Sequence, residues 1–126
     1  MFANTKAISS FAVDDVGRAR AFYADTLGLN VSVQDEHGLM TLHLAGDRDT
    51  FVYEKPDFTP ASYTVLNFQV DDVDEAVDRL AARGVTFERY EGFGQDDKGI
   101  ARGNGPTIAW FEDPAGNILS VVSETM

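Results

Sequence analysis

Apolar positions along this chain switch from alternation to helical spacing and back again, and they do so twice. The segment Ile8 to Val13 alternates like a half-buried strand. Val16, Ala19, Phe22, Tyr23 and Leu27 then recur on one face of a helix that Gly28 closes. Strands are predicted over Asn30 to Gln34, Leu39 to Leu44 and Thr50 to Glu54, separated by the turn clusters Asp35-Glu36-His37-Gly38 and Gly46-Asp47-Arg48-Asp49. After a proline-containing stretch, Pro56 to Ser62, the order begins again. Tyr63 to Val70 reads as a strand, and Val73, Ala76, Val77 and Leu80 as a helical stripe closed by Gly84. Val85 to Tyr90, Thr107 to Glu112 and Asn117 to Ser123 read as further strands, the last two joined by the turn Asp113-Pro114-Ala115-Gly116.

The recurrence extends to residue identity. Phe11-Ala12-Val13-Asp14-Asp15-Val16-Gly17-Arg18-Ala19 and Phe68-Gln69-Val70-Asp71-Asp72-Val73-Asp74-Glu75-Ala76 match at six of nine positions with a constant offset of 57. Both Asp-Asp pairs sit where a strand becomes a helix. Capping of the exposed helix N–H groups accounts for them better than metal binding or catalysis. The chain is therefore read as one domain, 1–126, made of two βαβββ modules of α+β class (about 5–55 and 63–124) joined by a linker of about 56–62. Units this small cannot cover both faces of their own sheets. Joined into one curved mixed sheet with helices on one side, they would leave a concave cavity on the other, the natural place for a site.

Composition narrows the function. Hydrophobic residues make up 44% and charged residues 25%, a globular balance. Lys plus Arg number 10 against 21 Asp plus Glu, a net charge of −11. Nucleic acid is thereby an unsuitable partner, since phosphate binding needs a basic footprint. No cysteine is present, which removes disulfides and thiolate metal sites. Nothing approaches the roughly 18 apolar residues of a membrane span, nor the apolar core of a signal peptide, so no membrane association and a cytoplasmic location are expected.

The residues Phe11–Phe22 with Tyr23 and Leu27-Gly28-Leu29, the matching Phe68–Leu80, and the ending Ala109-Trp110-Phe111-Glu112-Asp113-Pro114-Ala115-Gly116-Asn117 carry a further signal. Through them the whole chain resembles the vicinal oxygen chelate superfamily of glyoxalases, bleomycin- and fosfomycin-resistance proteins and extradiol dioxygenases. The resemblance implies paired βαβββ modules and a homodimer. It also implies four metal-ligand positions, which fall here at Ile8, Glu54, Val65 and Ser120. Two are aliphatic and one is a serine, so no metal and no other cofactor is expected. His37 and His43 match none of these positions and share no ligand spacing.

Alternation then gives an expected cavity lining of Ile8, Ser10, Ala12, Val52, Glu54, Val65, Asn67, Gln69, Ile118, Ser120 and Val122, with His43 and Trp110 assigned to it as well. Apolar walls with few polar groups suit a small-molecule ligand. The expected function is metal-independent binding of an aromatic or cationic metabolite or antibiotic, as in the bleomycin-resistance branch. Trp110 would stack on the ligand and Glu54 would supply the counter-charge. The alternative is a glyoxalase-like lyase or isomerase, or a dioxygenase, with a non-standard site. Glu54 and His43 are then the candidate bases. No serine or threonine shows a histidine base in the sequence, and the Glu91–Pro106 loop, with five glycines, reads as a flexible rim. A binding surface for a protein partner on the acidic exterior is a third reading.

Overall fold

The computed structural model describes residues 1–34, 37–103 and 105–124. The expected turn residues Asp35 and Glu36, and Asn104 of the Glu91–Pro106 loop, lie outside them. The chain divides into two compact units, Met1–Thr59 and Pro60–Met126. The α+β class holds for both.

In the first unit, strand β1 (Ser9–Val13) leads into helix α1 (Val16–Arg20), followed by β2 (Asn30–Gln34), β3 (Leu39–Leu44) and β4 (Arg48–Glu54). The sheet order is β1-β4-β3-β2, with β1 parallel to β4 and the other pairs antiparallel. Asp15, in extended conformation, accepts the Arg18 N–H at 3.0 Å, the cap the sequence predicts. The helix does not continue unchanged to Leu27. It widens into a π-type turn over Ala21–Thr26, closed by the Leu27 N–H on the Phe22 carbonyl at 2.9 Å. That turn seats Tyr23, fully buried, against Phe22 and Phe11 at ring distances of 5.2 and 6.0 Å. Val13, Val16, Met40, Leu42 and Val52 complete the core. Each large apolar side chain removed from water here contributes about 1.5–3 kcal/mol.

In the second unit, β5 (Thr64–Val70) leads into α2 (Val73–Ala82), and β6 (Ile108–Glu112) and β7 (Ile118–Ser123) follow. The sheet order is β5-β7-β6, with β5 parallel to β7. Asp72 repeats the cap, accepting the Glu75 N–H at 3.0 Å. Val73 and Val77 pack down from α2, and Phe111, Leu119, Val121 and Ala109 rise from the sheet.

Three expectations change. Val85 to Tyr90 is not a full strand: its pairing reduces to a bridge between Phe87 and Phe111 and a Glu88 N–H bond to the Trp110 carbonyl at 2.8 Å. The second unit is thus a three-stranded sheet with a bridged segment beside β6. The β3–β4 turn is also shorter than expected. Gly46 and Asp47 both adopt left-handed backbone (φ 82° and 58°), so the turn closes in three residues and Arg48 and Asp49 belong to β4. Finally, the glycine-rich loop is tied down. Gln95 donates to the carbonyls of Glu88 and Gly99 and accepts the Tyr90 N–H, while Asp96 accepts the N–H groups of Lys98 and Ile100. Ile100 is fully buried, and Arg102 makes a bidentate bond to Asp74 of α2 at 2.8 and 3.1 Å.

Candidate functional site

Strand register decides which side chains share a face. In the first unit Ser9, Phe11 and Val13 pair with Thr50, Val52 and Glu54, so these six stand on the helix-covered face. Val52 is fully buried there. Glu54 accepts the Val16 N–H at 3.0 Å and holds the start of α1. Both residues were expected on the helix-free face, and the register corrects this. The β4 side chains opposite Ser10 and Ala12 are Phe51 and Tyr53, which are 36% and 40% exposed. Ile8 lies just before β1 and is exposed as well.

His43 does occupy the helix-free face, and it is not alone. Asp49 is directly opposite on β4, and Ser32 lies on β2 two pairs along from the Asn30–His43 pair, on the same face. The imidazole Nδ1 is 3.1 Å from Asp49 Oδ1, and Nε2 is 2.7 Å from Ser32 Oγ. A carboxylate only accepts, so in the neutral ring the proton sits on Nδ1 toward Asp49 and Nε2 is the atom that accepts from the serine hydroxyl. Ser32, His43 and Asp49 thus form a connected row across three strands. Sequence reading missed it because Asp49 was assigned to a turn. Glycine and aspartate at positions 46 and 47 were the available signal for a tighter turn.

In the second unit Leu66, Phe68 and Val70 pair with Leu119, Val121 and Ser123 on the helix face. Asn67, Gln69, Trp110 and Ser120 share the other face, with Ile118, Val122 and Glu112 beside them. Ser120 is fully buried and donates to Asn67 Oδ1 at 2.6 Å. Val65 is the residue at which the β5–β7 register slips, since Thr64 faces Ile118 while Leu66 faces Leu119. Gln69 also borders a groove of about 360 Å³, together with Asp71, Asp72, Glu75, Arg79 and Glu124.

Trp110 is the centre of an aromatic group. Phe93 and Tyr90 meet it edge-on, with ring centroids 4.9 and 5.4 Å away. The Tyr90 hydroxyl is shut off from solvent and has no hydrogen-bond partner among the described residues. Burial raises the Tyr90 pKa, and the charges of Glu88 and Glu112 add to that. The Glu112 carboxyl is raised by burial, then by the charge of Glu88 and a hydrogen bond with it. Phe93, Tyr90, Glu88 and Glu112 were not identified from sequence. The first three lie in or beside the long loop, whose course periodicity does not predict.

The four positions that would carry a metal in relatives do not form a binding set. Ile8 and Val65 have no donor, Ser120 is bonded to Asn67, and Glu54 serves α1 on the helix-covered face. Among the described residues no three His, Asp or Glu side chains gather closely enough to hold a metal ion, and no helix is long and apolar enough to cross a membrane.

A family model described as the Glyoxalase/Bleomycin resistance protein/Dioxygenase superfamily matches residues 7–121. No curated protein matches the chain. Among solved structures, an antibiotic-binding protein, TnmS3, from Streptomyces sp. CB03234 is 24% identical, with a TM-score of 0.69 over 95% of this chain and 97% of its own. The fosfomycin resistance protein FosX from Listeria monocytogenes is 17% identical, with a TM-score of 0.72 over 98% and 95%. Lactoylglutathione lyase from Agrobacterium tumefaciens is 22% identical, with a TM-score of 0.67 over 97% and 96%. At these identities the likeness is one of fold.

Proposed function

Since the chain belongs to the Glyoxalase/Bleomycin resistance protein/Dioxygenase superfamily, we propose that it is a metal-independent member that binds and sequesters a cationic aromatic small molecule. The observation that carries this reading is the group around Trp110. Aromatic edges and faces, a buried hydroxyl without a partner among the described residues and two adjacent carboxylates are what an aromatic cation needs for stacking, a hydrogen bond and charge balance. The counter-charge is Glu112 with Glu88, in place of Glu54. Asn67 and Gln69 supply polar contacts on the same face. TnmS3, which shares this fold, binds an antibiotic, and a small organic ligand is what we propose for this chain. Metal independence rests on the side chains at positions 8, 54, 65 and 120. The protein is taken to act in the cytoplasm as a homodimer, which sedimentation at micromolar concentration checks.

Trp110 is the single tryptophan, so its fluorescence reports the site directly. Benzyltrimethylammonium and its uncharged tert-butyl isostere form a suitable pair of probes. The cation is expected to shift the emission saturably, and the isostere to bind at least tenfold more weakly. Calorimetry should show the cation lost in Trp110→Ala and weakened in Glu112→Gln. No saturable response below millimolar cation, or equal affinity for both probes, would sink the proposal.

A further inference from the structure

The row of Ser32, His43 and Asp49 lies in the first unit and takes no part in the group around Trp110. We infer that it is a nucleophilic site for small aryl esters, with Ser32 as nucleophile, His43 as general base and Asp49 as the residue that orients the imidazole. The geometry meets the two requirements of such a site. The serine hydroxyl is within hydrogen-bond reach of the base at 2.7 Å, and the base is held through its other nitrogen at 3.1 Å. All three are reachable: Ser32 is exposed, and the side chains of His43 and Asp49 are 41% and 32% exposed.

The neighbours on the same face suit an ester with an aromatic part. Thr41 is directly opposite Ser32, and Phe51 is opposite Thr41, so an exposed aromatic ring lies two strands from the nucleophile. That is about 10 Å, the length of a small aryl ester with its acyl group. Thr41, opposite Ser32, and Asn30, opposite His43, add polar side chains to the same face.

The reaction balances with water alone. Ser32 Oγ forms a bond to the ester carbonyl carbon as its proton passes to His43 Nε2. The tetrahedral adduct collapses with cleavage of the carbon–aryloxide bond, and the imidazolium returns the proton to the departing phenol. Water then attacks the acyl-serine by the same route, releasing the carboxylic acid and restoring the hydroxyl.

Two measurements test this. The wild-type protein is incubated with a fluorophosphonate probe and digested, and the adduct is located by mass spectrometry. Hydrolysis of p-nitrophenyl acetate is followed in parallel for wild type, Ser32→Ala, His43→Gln and Asp49→Asn. The expected result is an adduct on Ser32 that His43→Gln abolishes. At least a tenfold fall in kcat should accompany each substitution, with KM unchanged in Asp49→Asn. Labelling of wild type needs no variant to fold, so it decides the matter independently. Absence of a Ser32 adduct, or hydrolysis that Ser32→Ala leaves unchanged, overturns the inference without touching the proposed cation site.

Discussion

Replacing Glu54 separates a structural carboxylate from a ligand-binding one. In the fold, Glu54 Oε1 accepts the Val16 N–H at 3.0 Å, at a helix end where Asp15 already serves Arg18. Its backbone is fixed as well, because the Glu54 N–H bonds to the Gly38 carbonyl at 2.8 Å and a side chain on Gly38 would come within 3.2 Å of the Glu54 Cβ. A hydrogen bond to a charged group is worth about 1.5–3 kcal/mol when buried. Charge at a helix N-terminus adds about 0.3–1 kcal/mol. Glu54 is exposed, so water replaces part of both. Glu54→Ala should therefore cost about 1 kcal/mol, or about 4 °C in Tm for a chain of this size. Glu54→Gln keeps the acceptor and loses only the charge, so its cost should be about 0.3 kcal/mol. Urea unfolding followed by Trp110 fluorescence measures both, and titration with benzyltrimethylammonium should give wild-type affinity in each. An Ala variant of unchanged stability whose cation affinity falls tenfold would refute the face assignment and return Glu54 to the binding site.

Other substitutions probe the second unit. Asp113→Ala strips the acceptor from the Ala115 and Asn117 N–H groups and from the Asn117 side chain, around two buried residues. It should destabilise the protein by about 3 kcal/mol in urea unfolding. Because the Glu112 pKa is raised in the fold, the unfolded chain gives up that proton first as pH rises above 4.5, and folding stability declines over that window. Glu112→Gln should flatten this decline, a result that thermal melts across pH 4 to 8 would show. Gln95→Ala removes the acceptor of the Tyr90 N–H, 2.7 Å away, and should speed hydrogen exchange of that amide about fivefold while leaving Leu119 unchanged.

The features legible in the sequence are those with local causes. Asp15 and Asp72 cap helices because a short side chain reaches N–H groups three residues ahead, and no distant partner is needed. The Asp113–Gly116 turn is readable for the same reason. Strand faces depend on register, which pairs residues some forty positions apart. The faces of Asn67 and Gln69 follow from the apolar residues packed beneath the helix, and the pairing of Asn67 with Ser120 sets Ser120 beside them. The face of Val52 and Glu54 was fixed by an implied ligand position, whereas the pairing of Ser9 with Thr50 sets it the other way. The aromatic group around Trp110 was hidden for a different reason. Phe93 reaches the ring through a loop ordered by Gln95 and Asp96, and glycine content signals only that such a loop can bend.

The register slip at Val65 has a consequence for how such a chain can diverge. A one-residue change in strand length ordinarily turns every later side chain to the opposite face. Here the spare residue absorbs that step at the start of β5, before Asn67 and Gln69 are reached. The bulge thus lets β5 carry one residue more than its partner without inverting the lining, so strand length at that point and the choice of side chains facing the helix-free side are uncoupled.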